Sequence, residues 1–148
     1  MKTPKKRAIR LLIADDHPVV RKGLKVLLAT EPDMQVVGEA EDGAEAVEKA
    51  AALKPDVVLM DLVMPRMDGI EATRRIHTSD PGVKVLVLTM HDEDALRAEA
   101  LRAGAVGFLT KDCAMHEVVA AVRAVVSGDV VFSPEIAKSV LAEIGNGH

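Results

Sequence analysis

Five short apolar runs, each followed by a stretch of helical periodicity, pace this chain from end to end. IRLLIA (9–14), MQVVGEA (34–40), DVVLM (56–60), VKVLVL (83–88) and VGFL (106–109) read as strands. Between them the apolar residues recur at helical spacing. Val20, Leu24, Leu27 and Leu28 mark a helix over 18–30, with Pro18 in its first turn. Val47, Ala50, Ala51 and Lys54 mark a second that stops before Pro55. Ile70, Thr73 and Ile76 mark a third behind an Asp68 N-cap. Leu96 and Ala100 mark a fourth from Glu93 to Ala103, with Gly104 as its stop. Met115, Val118, Val119, Val122, Val125 and Val126 give the fifth. Strands that are apolar on both faces and separated by helices can be satisfied only by a parallel sheet covered on both sides. The expectation is a doubly wound α/β fold with a five-stranded parallel sheet. Ser133-Pro134 to Ile144 predicts an extra C-terminal helix, with Ser133 as N-cap.

Composition removes several classes of function. There is one cysteine, Cys113, so an internal disulfide framework and a multi-thiolate zinc site are both excluded. The formal charge of −4 disfavours a domain built to grip phosphate backbones, and with no Trp or Tyr and 2 Phe there is no base-stacking platform. Lys2, Lys5, Lys6, Arg7 and Arg10 read as a solvated lead-in to the first strand rather than a nucleic-acid arm. No apolar run approaches the roughly 18 residues of a membrane span, and Asp15 and Asp16 cut the first run too short for a signal peptide. These features suit a cytoplasmic protein.

The strand ends concentrate the chemistry. Strand one ends in Asp15-Asp16, strand three in Asp61, strand four in Thr89 and strand five in Lys111. In an open parallel sheet the carboxyl ends of the strands form the ligand-binding edge, near the switch point of the topology. Three crowded carboxylates repel, and a divalent cation relieves the repulsion. Oxygen-only donors, with no second His or Cys nearby, suit Mg²⁺ better than zinc. Mg²⁺ pairs with phosphate oxygens, a carboxylate can attack phosphorus, and Lys111 and Thr89 can hold phosphoryl oxygens. Taken singly, each Asp reads as a helix cap and Lys111 as a surface lysine. The joint arrangement at one end is what carries the reading. His17, ahead of Pro18, reads as serving the turn, and Cys113 as an inert small residue.

LLIADDHPVVRKGL, VVLMDLVMPRMDGIEATRRI, VLVLTMHDED and GAVGFLTKD stand in the order of the landmarks of a response-regulator receiver domain, which the sequence resembles over about residues 8–128. The wording DDHPVVRKGL, LTMHDED and RAGAVGFLTKD resembles the NarL/FixJ, LuxR-type subfamily. The resemblance implies a flavodoxin-like (βα)5 receiver with strand order 2-1-3-4-5. It implies that Asp61 accepts a phosphoryl group from a sensor histidine kinase. Asp15, Asp16 and Asp61 would hold Mg²⁺ with the backbone carbonyl of Val63. Lys111 would contact a phosphoryl oxygen, Thr89 would be the switch hydroxyl, and Phe108 falls on the rotating aromatic position. Val63 and His91 fall on the positions that tune dephosphorylation. Asp112 stands where many receivers carry proline after the lysine.

The resemblance also implies a phosphoacceptor switch rather than an enzyme. Residues 129–148 are similar to a linker helix, and DNA would be reached only through a domain outside this sequence. A homodimer on phosphorylation is expected, helped by the surplus of valines on helix five (Val118, Val119, Val122, Val125, Val126). Output is expected through the face of helix four, strand five and helix five or an adjoining helix. Two alternatives stay open. One is a stand-alone or degenerate receiver that acts as a protein-interaction module, in the degenerate case without phosphate. The other is a Mg²⁺-dependent aspartyl-phosphate phosphatase, disfavoured because Val63 stands where such enzymes want a second Asp.

Overall fold

The computed structural model describes residues 7–91, 93–113 and 115–132. Ten elements alternate along them: β1 (Ile9–Ala14), α1 (Pro18–Ala29), β2 (Met34–Ala40), α2 (Gly43–Leu53), β3 (Val57–Met60), α3 (Gly69–Ser79), β4 (Lys84–Thr89), α4 (Asp94–Ala103), β5 (Gly107–Thr110) and α5 (Met115–Val126). All strand pairs are parallel and the sheet order is β2-β1-β3-β4-β5. The expected helix over 133–144 lies outside the described residues, as do residues 133–148 of the expected linker segment 129–148.

The sheet's two faces explain why its strands read as unbroken apolar runs. In β1, Leu11 and Ile13 enter a layer with Leu24 and Leu28 of α1 and Val118, Val122 and Val125 of α5. Leu12 and Ala14 point the other way, into a layer with Ala46 and Ala50 of α2 and Ala72 and Ile76 of α3. The period of two is present, but both faces are buried, so no polar residue marks it. A third cluster joins Leu62, Val87, Ala100, Ala105 and Phe108 beneath α4.

Helix ends follow their residue chemistry. Asp42 and Asp68 cap α2 and α3 by accepting from the N–H of Glu45 and of Glu71, at 2.8 and 2.9 Å. Gly104 ends α4 with φ 113°. The second helix differs from the expected stripe. Lys54 is its left-handed C-cap, not a member of its face, and Ala51 is exposed; Ala46 and Ala50 do the packing. On α5, four of the five valines thought surplus are core: Val118, Val119, Val122 and Val125 are buried, and only Val126 is exposed. Those valines therefore give no reason to expect a second interface.

Two further findings concern the ends. Arg7 pairs with Asp56, and Arg10 donates to the carbonyls of Leu53 and Lys54, so both anchor the start of β1. After α5 the chain returns to the sheet. Val131 bridges to Gly107 in parallel, accepts from the Phe108 N–H at 2.8 Å and donates to the Val106 carbonyl at 2.8 Å. This strap closes the free edge of β5 and lays Phe132 against Phe108.

Candidate functional site

β1 is the strand from which the sheet winds outward in both directions, so the switch point lies between the carboxyl ends of β1 and β3. Asp15 and Asp16 leave β1 there, and Asp61 leaves β3. Their backbones are tied to the ladder: the Asp15 N–H donates to the Ala40 carbonyl and the Asp61 N–H to the Ala14 carbonyl, at 3.0 and 2.9 Å. Asp15 and Asp61 are buried, and Asp16 keeps partial exposure. Two carboxylates this deep need compensation.

Lys111 supplies it. Its Nζ lies 2.6 Å from Asp15 Oδ2 and 3.1 Å from Asp61 Oδ2, and its side chain is nearly buried. Burial by itself would push the ammonium pKa down; the hydrogen bond to Asp15 and the charges of Asp61 and Asp15 outweigh it, and the net direction is up. Lys111 reaches this place because β5 pairs with β4 and its own N–H donates to the Thr89 carbonyl at 2.8 Å. Thr89 is buried at the end of β4, and its Oγ1 accepts from the His91 N–H at 3.3 Å. The His91 residue is exposed. The peptide bonds of the described residues are all trans, that between Lys111 and Asp112 included.

The loop after Asp61 is held from below. A Cβ on Gly69 would fall on the Asp61 carbonyl oxygen, so only glycine lets α3 start this close to β3. The Gly69 N–H closes the loop on the Leu62 carbonyl at 2.8 Å, and the Gly43 N–H takes the Met67 carbonyl at 2.9 Å. Arg66, at φ 67°, donates from Nε to Asp42 Oδ2 at 2.7 Å. The Glu45 N–H and then Arg66 hold the Asp42 carboxyl below its ordinary range. Val63 sits at the exposed crest of this loop. Phe108 is buried in the cluster of Leu62, Val87 and Ala100, with the Arg97 guanidinium 5.6 Å from its ring centre and Phe132 at 6.2 Å.

The expected residues therefore divide. Asp15, Asp16, Asp61 and Lys111 converge; Thr89 is linked to Lys111 through the backbone; Val63 and His91 are exposed; Phe108 forms a separate cluster. His17 serves the turn through its backbone N–H, which donates to Asp15 Oδ1 at 2.9 Å, and its ring adds a contact that sequence reasoning missed. His17 N-caps α1 without any side-chain cap bond. Its ring Nδ1 stands 3.0 Å from Asp15 Oδ1 and 3.2 Å from Asp16 Oδ1 instead. Donor atoms of Asp15, Asp16, His17 and Asp61 all lie within 4.8 Å of one another. The only sequence signal was adjacency, since His17 directly follows the acidic pair.

The donor set fits a divalent cation. Asp16 Oδ1 is buried and accepts no hydrogen bond. The His17 ring approaches it but is directed to Asp15, the pair with hydrogen-bond geometry. An unsatisfied carboxylate oxygen beside two further carboxylates is what a hard cation would relieve.

Comparison with known proteins shows what the chain as a whole is similar to. The family model "Response regulator receiver domain" matches residues 11–123. The response regulator GacA of Pseudomonas viridiflava is 46% identical over 132 residues, covering 89% of this chain and 62% of the relative. The transcriptional regulatory protein LnrK of Bacillus subtilis is 46% identical over 135 residues, covering 91% and 61%. Among solved structures, a LuxR-family two-component response regulator from Aurantimonas sp. SI85-9A1 superposes with TM-score 0.83 at 39% identity, covering 94% of this chain and 99% of that one. The receiver domain of the response regulator NarL of Mycobacterium tuberculosis does so with TM-score 0.80 at 40% identity, covering 83% and 99%. The chain thus spans about 62% of the length of GacA.

Proposed function

The chain belongs to the response-regulator receiver family, and on that premise we propose that it is a phosphorylation switch whose acceptor is Asp61. The observation that carries the reading is Lys111 Nζ bridging Asp15 and Asp61 at 2.6 and 3.1 Å, at the carboxyl edge of the sheet. A buried ammonium fixed between two carboxylates is poised to follow charge that arrives on one of them.

A carboxylate oxygen of Asp61 attacks the phosphorus of a phosphohistidine on a sensor kinase. The P–N bond breaks, the imidazole nitrogen leaves with the electron pair and takes up a proton, and a mixed anhydride remains on Asp61. Lys111 transfers its contact to a phosphoryl oxygen, and the Thr89 hydroxyl donates to another. Asp15, Asp16, Asp61 and the Val63 carbonyl would hold Mg²⁺. That ion, when bound, neutralises charge on the phosphoryl oxygens. Loop 62–68, pinned by Gly69, Gly43 and Arg66, keeps the acceptor and the Val63 carbonyl in register.

Phe108 then repacks as Thr89 moves, and the change reaches α4, β5 and the strap. Output through a second copy of the chain, and onto DNA by way of a domain outside residues 1–148, completes the proposal. A cytoplasmic setting is part of it; no helix among the described residues is long and apolar enough to cross a membrane.

The test is intact mass after acetyl phosphate and Mg²⁺. One phosphoryl group should add to the wild type and none to Asp61→Asn, which keeps the fold but cannot attack phosphorus. Equal labelling of Asp61→Asn would sink the assignment. Rapid phosphate release with turnover would favour a phosphatase, and no adduct a phosphate-independent binding module.

A further inference from the structure

The three carboxylates of the pocket are not held alike. Lys111 pairs with Asp15 and with Asp61. Asp16 Oδ1 is buried and accepts no hydrogen bond, because the ring of His17 beside it is bonded to Asp15. The place of the Asp16 carboxylate is therefore left to its backbone, and first of all to the Asp15–Asp16 peptide group. We infer that Arg21 is a positioning residue, which clamps that peptide group and so holds Asp16 where a cation needs it. The inference rests on the receiver reading above in placing a cation among these carboxylates.

The need for a clamp follows from the sheet. β1 pairs with β2 as far as Ala14 and Ala40, and the Asp15 N–H makes the last bond, to the Ala40 carbonyl at 3.0 Å. The chain of β2 then turns away into α2, capped by Asp42. The Asp15 carbonyl is the first acceptor beyond the ladder, on a buried residue, and a buried carbonyl needs a donor. Arg21, in the first turn of α1, supplies it: Nη1 donates to the Asp15 carbonyl at 2.6 Å.

The guanidinium is itself braced. Its Nε donates to Glu39 Oε1 at 3.2 Å and its Nη2 to Glu41 Oε1 at 3.5 Å, while Lys25 holds the other Glu39 oxygen at 2.9 Å. The Arg21 side chain is only 11% exposed. Two carboxylates past the end of β2 thus fix the plane of the fork, and the remaining nitrogen is aimed at the corner of the pocket. A planar fork serves both sides at once, which the point charge of a lysine cannot do. The Arg21 N–H is bound to the His17 carbonyl at 3.1 Å, so the start of α1 and the acidic corner are tied together.

Charge and clamping act on a cation with opposite signs. The positive charge of Arg21 repels a cation, so losing the charge alone would tighten Mg²⁺ binding. Losing the clamp would weaken it, because the Asp16 carboxylate would have to be ordered on binding. Residues that orient a metal's ligands change its affinity by roughly 10- to 100-fold. Arg21 holds one of three carboxylates, so the low end of that range applies.

The experiment is an NMR titration of the 148-residue chain with Mg²⁺, with amide exchange measured on the metal-free protein. Wild type, Arg21→Ala, Arg21→Lys and Arg123→Ala are compared. Arg123→Ala is the control, since it breaks a similar set of ion pairs, to Glu31 and Asp33, beyond the other end of α1. Arg21→Ala should weaken Mg²⁺ binding by roughly tenfold. It should also speed exchange of the His17 amide relative to the Asp61 amide. Arg21→Lys keeps the charge but not the fork, and should weaken Mg²⁺ by a smaller factor. Arg123→Ala should leave both readouts at their wild-type values. Equal or tighter Mg²⁺ binding in Arg21→Ala overturns the proposal. So does Mg²⁺ binding by Arg21→Lys equal to wild type, which decides alone if Arg21→Ala does not fold. A loss of the same size in Arg123→Ala overturns it too, by tracing the effect to stability. The receiver reading fails by a different result, a wild type that takes no Mg²⁺. The His17 amide still decides in that case, and an unchanged rate in Arg21→Ala overturns the clamp.

Discussion

The ring of Phe132, from the segment that follows the last helix, stands 6.2 Å from the ring of Phe108 and is tilted 37° to it. Phe108 is thereby gripped between this strap and the α4 cluster of Leu62, Val87 and Ala100. An aromatic pair of this kind contributes about 0.5–1.5 kcal/mol beyond the area it buries. Phe132→Ala should therefore cost about 1–2 kcal/mol, a fall in Tm of several degrees for a domain this size. It should also speed exchange of the Phe108 and Val131 amides, which form the strap's two hydrogen bonds. Unchanged exchange at those two amides would show that the strap does not depend on the ring.

Lys111 is expected to matter before any phosphoryl group arrives. It compensates two buried carboxylates. Breaking a buried pair from one side costs about 3–5 kcal/mol. This pocket opens toward solvent at Asp16, so Lys111→Met should cost about 3 kcal/mol at neutral pH, the low end of that range. Added Mg²⁺ should recover much of the loss. Thermal melts of both proteins with and without Mg²⁺ check this, and a variant as stable as wild type without metal would contradict the compensation.

Asp42 gives an acid-side dependence with a fixed sign. The Glu45 N–H and then Arg66 lower its folded pKa below the unfolded value of about 3.9. Its contribution is thus present above that value and is lost as pH falls through the folded one. Asp42→Asn keeps a cap but cannot titrate. Wild type should exceed it in urea midpoint at pH 7, and the gap should narrow steadily below about pH 4. A gap that is constant over pH 7 to 3 would rule out the carboxylate's charge as its source.

Arg66 separates strain from pairing. It occupies the left-handed region at φ 67° without being glycine and donates to Asp42. A side chain costs about 1 kcal/mol there. Arg66→Ala keeps that strain and loses the pair, so it should destabilise by about 1 kcal/mol. Arg66→Gly loses the pair but relieves the strain, and should fall within about 0.5 kcal/mol of wild type. Denaturant midpoints of the two variants in the reverse order would show that left-handed strain at residue 66 does not separate them, and an Arg66→Ala midpoint equal to wild type would show that the ion pair contributes nothing.

The strands were legible because both sheet faces bury them; an apolar run such as LLIA needs no register to be recognised. The convergence of Asp15, Asp16, Asp61 and Lys111 was legible because parallel topology sends every strand's carboxyl end to one edge. What sequence could not give was lateral. Val118 and Val119 are both buried because α5 packs on β3, β4 and β5 in the same layer as α1, and periodicity reads spacing, not how wide a face is covered. The strap around Val131 is a single bridge, too short to leave a pattern. The His17 ring faces its acidic neighbours while its backbone serves the turn, and a ring's direction is set by its rotamer. Arg66 hid a left-handed position that a glycine would have announced.

The lifetime of the phosphoryl group follows from what stands beside the loop. Hydrolysis requires a water in line with the Asp61 carboxylate oxygen that departs, and positioning supplies most of the catalysis in phosphoryl transfer. Val63 is exposed at the crest of the loop two residues after Asp61 and has 53% of its surface open. Its side chain has neither donor nor acceptor, so it can shield the phosphoryl group but cannot orient water. His91 is exposed two residues after Thr89, and its N–H is bound to the Thr89 hydroxyl. Self-dephosphorylation is therefore expected on a scale of many minutes rather than seconds. Val63→Asn or Val63→Glu restores a polar group beside the attack path and should shorten the lifetime, by about tenfold if one water is positioned. Since Val63 is exposed, neither variant should lower Tm, which separates a kinetic effect from a folding one. Loss of radiolabelled phosphate in Mg²⁺ buffer measures all three proteins. A wild-type half-life of seconds, or variants no faster than wild type, would show that the clock is set elsewhere.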